Sequence, residues 1–135
     1  MIRSSHREDS GFTSLQFAVM AFFTMLIFAA VVNLVAMQYQ VGAVRVATDE
    51  GARHGAAVSH AEDECEVLAV SILRADGSGL LRGWLGEGID INCEIVGNEM
   101  VATAIGVSRW WLGGVPDREF IVEGRAVIET FAGVP

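Results

Sequence analysis

Between Gly11 and Val44 the chain carries no Asp, Glu, Lys or Arg. This stretch constrains the fold more than any other feature. Its centre, Phe17 to Met37, reads FAVMAFFTMLIFAAVVNLVAM, with only Thr24 and Asn33 polar. A helix of that length spans about 30 Å, the hydrocarbon thickness of a bilayer. Apolar residues occur all round it, so it is not a one-sided surface helix. A buried helix this long would need a larger core than the remaining ~100 residues supply. The sequence therefore predicts a membrane-spanning helix over about 17–37. The run is longer than the apolar core of a cleaved secretory signal, and no good small-x-small cleavage site follows it.

The rest of the chain has the opposite character. Hydrophobic residues make up 52% of 135 residues, yet the formal net charge is −8, and all of that net charge falls after Gln38. An acidic chain without a basic patch excludes nucleic-acid binding. Arg3 and Arg7 before the apolar run balance Arg45 and Arg53 after it, so counting arginines does not orient the helix. The cysteines and the acidic C-terminal part favour placing that part outside the cytoplasm.

The helical pattern continues beyond Met37, and no proline interrupts Phe12 through Val58. One helix over 12–58 would be ~70 Å long. Met37, Val41, Val44, Thr48, Gly51, Gly55 and Val58 form one stripe of small or modest side chains at alternating spacings of four and three. Such a stripe needs something packed closely against it, either the chain's own outer domain or neighbouring subunits. Arg45, Asp49 and Arg53 stand four apart on another face, as do Glu50 and His54, which suits i,i+4 pairs.

Residues 59–135 predict a small α+β domain. Ser59-His60-Ala61-Glu62 has the form of a capping box opening a second helix, with Cys65, Leu68, Ala69 and Ile72 on one face. Asp76-Gly77-Ser78-Gly79 is loop chemistry, and Leu80–Gly88 suits a short amphipathic helical turn. Three alternating runs follow: Ile89–Ile95, Val101–Val107 and Phe120–Glu129. Gly97-Asn98 fits a tight hairpin between the first two. The expected fold is a long membrane-spanning helix, a short helix and a three-stranded antiparallel sheet. Cys65 and Cys93 both face the helix–sheet seam and are expected to form a disulfide; the alternative is two buried thiols. A pair closing that loop would contribute about 3–4 kcal/mol.

Ahead of the apolar run stands Arg7-Glu8-Asp9-Ser10-Gly11-Phe12-Thr13-Ser14-Leu15-Gln16-Phe17. A short polar leader, a glycine and GFTSLQF entering a long hydrophobic helix resemble the prepilin processing site of type IV pilin-like proteins. The segment Ala43 to Ala56, rich in Ala, Arg and Gly, is similar to the corresponding helix of TadE-like minor pilins, or pseudopilins, of tight-adherence pili. The resemblance covers about residues 7–57. It implies a leader over 1–11, cleavage by a prepilin peptidase between Gly11 and Phe12, and assembly through Gln16 and Phe17 against other pilin subunits. It also implies a path from the cytoplasmic membrane to a cell-surface or secretion filament. The family usually carries glutamate five residues after the glycine, and this chain has Gln16 there. Either the amide is a weaker substitute, or the subunit sits where no charge pairing is needed, or the leader is retained. A permanent single-pass membrane protein with a partner-binding outer domain is the alternative.

Remaining clusters carry little chemistry. Glu62-Asp63-Glu64 with Glu66 lacks calcium-loop spacing and suits a helix first turn. His54 and His60 lie six apart, which is no ligand spacing, so no metal or other cofactor is expected. Trp110 and Trp111 either form an interface patch or close one end of the core. No nucleophile elbow, phosphate loop or zinc motif occurs, so no enzymatic activity is expected.

Overall fold

A computed structural model describes residues 9–58, 61–74, 78–110 and 116–128. The elements run α1 (Asp9–Val58), α2 (Glu62–Arg74), a 3-10 turn (Gly83–Leu85), β1 (Asp90–Val96), β2 (Glu99–Ser108) and β3 (Arg118–Val127). The fold is α+β: a long apolar helix, a short helix and an antiparallel sheet in the order β1-β2-β3. α1 begins at Asp9 rather than at the expected Phe12, so Gly11 also lies within helix. The chain divides into Met1–Val35 and Ala36–Pro135.

In the first unit, the large apolar side chains of α1 are exposed, while Ala29 and Ala30 are half-buried and Asn33 is buried. Phe17 and Met25 are each 76% exposed. Phe22 and Phe23 meet edge to face at 6.0 Å. The Thr24 hydroxyl donates to the Met20 carbonyl at 2.8 Å, so this polar group is satisfied inside its own helix.

In the second unit, α1 buries Ala43, Val44, Ala47, Thr48, Gly51, Ala52, Gly55 and Ala56. The stripe is wider than the spacing suggested and ends before Val58, which is exposed. It seats the chain's own domain. A Cβ at Gly51 would lie 2.8 Å from Ala69 Cβ, and one at Gly55 would lie 2.7 Å from Cys65 Cβ. A Cβ at Gly124 would lie 2.5 Å from the Thr48 carbonyl carbon, so β3 touches the backbone of α1. Close approach of this kind is the compensation for glycines that lower helix propensity by about 1 kcal/mol each.

Two core clusters result. One joins Val44 and Ala47 to Leu73, Leu81, Ile89 and Ala104. The other joins Ala52 and Ala56 to Cys65, Cys93, Met100, Ala102 and Ile128. Burying several such side chains, at about 1.5–3 kcal/mol for each large one, supplies the main favourable term.

The sheet decides which side of the second alternating run is buried. In β2 the smaller partners face the helices: Ala102, Ala104, Gly106 and Ser108, together with Met100, are buried. Ile105 and Val107 face outward and are exposed. Large β-branched residues on the inner face would hold α1 away from Gly124. Val101 shares the outward face yet is buried; Glu94 and Arg125 stand opposite it on the neighbouring strands. Ile95 shares the face of Cys93 but is exposed near the strand end. The hairpin turn occurs as expected, with Gly97 at φ +64°. Leu80–Gly88 forms only a single 3-10 turn.

Candidate functional site

Each strand at the margin of a sheet exposes a row of unpaired backbone groups. β1 and β3 are the two margins here. The margin at β1 is closed by α2. Glu66 Oε1 accepts the Cys93 N–H at 3.1 Å, and Glu62 Oε1 accepts the Ile95 N–H at 3.1 Å. The match has a metric basis. Four helical residues rise about 6 Å, and two strand residues rise about 6.6–6.8 Å, so carboxylates one turn apart meet alternate N–H groups. Further along α2, Arg74 donates from Nε to the Gly86 carbonyl at 3.1 Å and from Nη2 to the Ile89 carbonyl. Beside this polar row Cys65, Ala69 and Leu73 turn into the core. The Cys65–Cys93 disulfide, with Cα atoms 6.2 Å apart, fastens the same seam.

This seam gives the acidic first turn of α2 a further role. Glu62 reaches β1 through Oε1; Ser59 and His60, the other part of the expected capping box, lie outside the described residues. The acidic run divides its work, since Glu62 and Glu66 bind backbone while Glu64 approaches His54 at 3.7 Å. Among the described residues no three His, Cys, Asp or Glu side chains gather in a metal-binding group. The expected helical ion pairs also differ. Arg53 meets Glu50, three residues back, at 3.5 Å, and His54 turns to α2.

The outer face of the sheet is mainly acidic around an apolar strip of Ile105, Val107 and Ile121. Arg125 sits between Glu123 at 2.9 Å and Glu99 at 3.9 Å. The hydrogen bond Arg125 donates to Glu123, the charge of Glu123 and that of Glu99 hold the exposed guanidinium above its ordinary pKa.

Of the residues singled out for assembly, Gln16 and Phe17 are exposed on α1. Gly11 and Phe12 belong to the same helix. Trp110 is half-buried, and Trp111 lies outside the described residues. What the sequence did not single out is the pair Tyr39 and Gln40, just past the apolar run. The Tyr39 hydroxyl donates to the Leu80 carbonyl at 2.8 Å, and Gln40 Nε2 donates to the Leu85 carbonyl at 3.0 Å. Gln40 is buried, and its Oε1 has no partner among the described residues. A tyrosine and two glutamines following an uncharged apolar run were the available signal.

α1 is long and apolar enough to cross a membrane. Compared with known protein families, curated proteins and solved structures, the chain matches none.

Proposed function

We infer that the chain is a structural subunit of a filament: a minor pilin or pseudopilin of the TadE-like, type IV-related kind. The observation that carries this reading is the outward display of large apolar side chains along α1 from Leu15 to Val35. Water does not solvate such a surface favourably. Lipid does, and so does the same helix of a neighbouring subunit. A helix of this kind first anchors the subunit in the cytoplasmic membrane, with the α+β domain outside. It then leaves the bilayer for a filament in which helix-to-helix packing replaces lipid contact.

The Gly11-Phe12 pattern supports processing by a prepilin peptidase. The disulfide supports an oxidising compartment for the outer domain. The function is assembly rather than catalysis, with other pilin subunits as partners.

Gln16 keeps a second reading in view: a permanent single-pass membrane protein whose outer domain binds a partner. Glutamine accepts a hydrogen bond from a neighbouring terminal ammonium but supplies no charge, which weakens pairing in a low dielectric. The mass of the membrane-extracted protein separates the two readings. A chain beginning at Phe12, and its recovery in sheared surface filaments, supports the filament subunit. An intact Met1 and absence from filaments supports the anchored binder. On the filament reading, Gln16→Glu keeps or improves incorporation, and complete loss of incorporation contradicts it.

A further inference from the structure

Where α1 leaves its apolar run, a loop of the outer domain is fastened to it. Tyr39 and Gln40 hold the carbonyls of Leu80 and Leu85. From the other side, the N–H groups of Leu80 and Leu81 donate to the carbonyls of Ile72 and Leu73 at the end of α2, at 2.9 and 3.1 Å. Leu81 turns inward and is buried. The loop is therefore fixed at four backbone points, two on each helix. On this fixed loop Leu80 and Trp84 are 37% and 50% exposed, and Tyr39, which holds the Leu80 carbonyl, is 53% exposed.

Height along α1 says what solvates this cluster. Tyr39 and Gln40 rise about 3 and 4.5 Å beyond Met37, where the apolar run ends. The interfacial zone of a bilayer is about 5–8 Å deep on each side of the hydrocarbon. Residues 38–44 carry no charge, and Arg45 is the first charged residue after the run. Helical side chains lean toward their own N-terminus, which here is toward the apolar run. Tryptophan and tyrosine are the side chains enriched at this depth, because each joins an apolar ring to a polar tip.

We propose that the Leu80–Leu85 loop is an interfacial foot, with Trp84, Leu80 and Tyr39 seated in the headgroup region of the bilayer that α1 spans. The foot rests on the membrane-anchored reading of α1. It gives the outer domain a second lipid contact while the subunit awaits assembly. Entry into a filament requires the foot to release along with the helix.

The chain has three tryptophans, so W110F/W111F leaves Trp84 as the only reporter. The full-length protein is placed in phosphatidylcholine vesicles carrying a nitroxide either at the headgroup or near the acyl-chain end. The foot predicts that the headgroup nitroxide removes most of the Trp84 emission and the deep nitroxide removes less. Equal emission with and without either nitroxide, together with free access of aqueous iodide, overturns it. Should W110F/W111F fail to fold, the difference between the unaltered chain and Trp84→Phe gives the same quantity.

A control isolates the membrane reading: F23W in a chain whose three tryptophans are replaced by Phe. Deep quenching of that residue without shallow quenching of Trp84 removes the foot and leaves the span intact. No quenching of it removes both.

Discussion

The two halves of α1 belong to one helix and meet opposite surroundings. Up to Val35 the helix exposes its Phe, Met, Ile and Leu side chains, with Asn33 buried, and from Ala43 to Ala56 it buries alanines, glycines, a valine and a threonine under its own domain. The difference teaches that side-chain size selects the partner. Large apolar groups need a fluid or a matching rod that fills the gaps between them. Small ones let backbone approach backbone, and only a shaped partner such as Gly124 of β3 or Ala69 of α2 exploits that.

Substitutions in the two halves, and in what packs on them, sharpen this contrast. The largest effect is expected from C65A/C93A. Opening a loop of sequence separation 28 removes about 3–4 kcal/mol from the outer domain. Chemical unfolding of the detergent-solubilised protein, followed by tryptophan emission, measures it. A loss under 1 kcal/mol would show that the α2–β1 seam holds without its staple.

Next comes Gly124→Leu. Its side chain collides with the Thr48 backbone, and overpacking of this kind costs about 1–3 kcal/mol. The same unfolding experiment reads it, and an unchanged midpoint would mean that α1 does not lie against β3.

Glu66→Ala strands the Cys93 N–H beside a buried disulfide. The expected loss is about 1–3 kcal/mol. Glu66→Gln, which keeps an acceptor oxygen, recovers part of it. Amide hydrogen exchange at Cys93 should rise in the alanine variant and not at Val101, across the sheet.

The smallest effect is expected in the other half of the helix. Phe22→Ala removes a large side chain but leaves the unfolding of the outer domain within about 0.5 kcal/mol, because Phe22 is 64% exposed. A loss of several kcal/mol there would erase the distinction between the halves.

Much of the fold was legible residue by residue. A stretch without charge, a repeat of small residues, three alternating runs and Gly97-Asn98 each have a local physical cause. The side of β2 that faces inward was harder to read. Alternation fixes a period, but whether Ile105 or Ala104 is buried depends on how near α1 must come. The roles of Glu62 and Glu66 were hidden for a related reason. Acidic residues in a first helical turn already have a local explanation, and their N–H partners lie 33 and 27 residues away. Tyr39 and Gln40 looked like the polar end of an apolar run, and their grip on Leu80 and Leu85 spans more than forty residues.

By itself, the sequence determined that a membrane-length helix leads into a small acidic α+β domain, because hydropathy and periodicity act over neighbouring residues. Tertiary structure alone decided which sheet margin is sealed, which face of β2 is buried and which loop is tied to the foot of the helix. Those outcomes depend on distances between segments remote in sequence, and on backbone groups that every residue type shares.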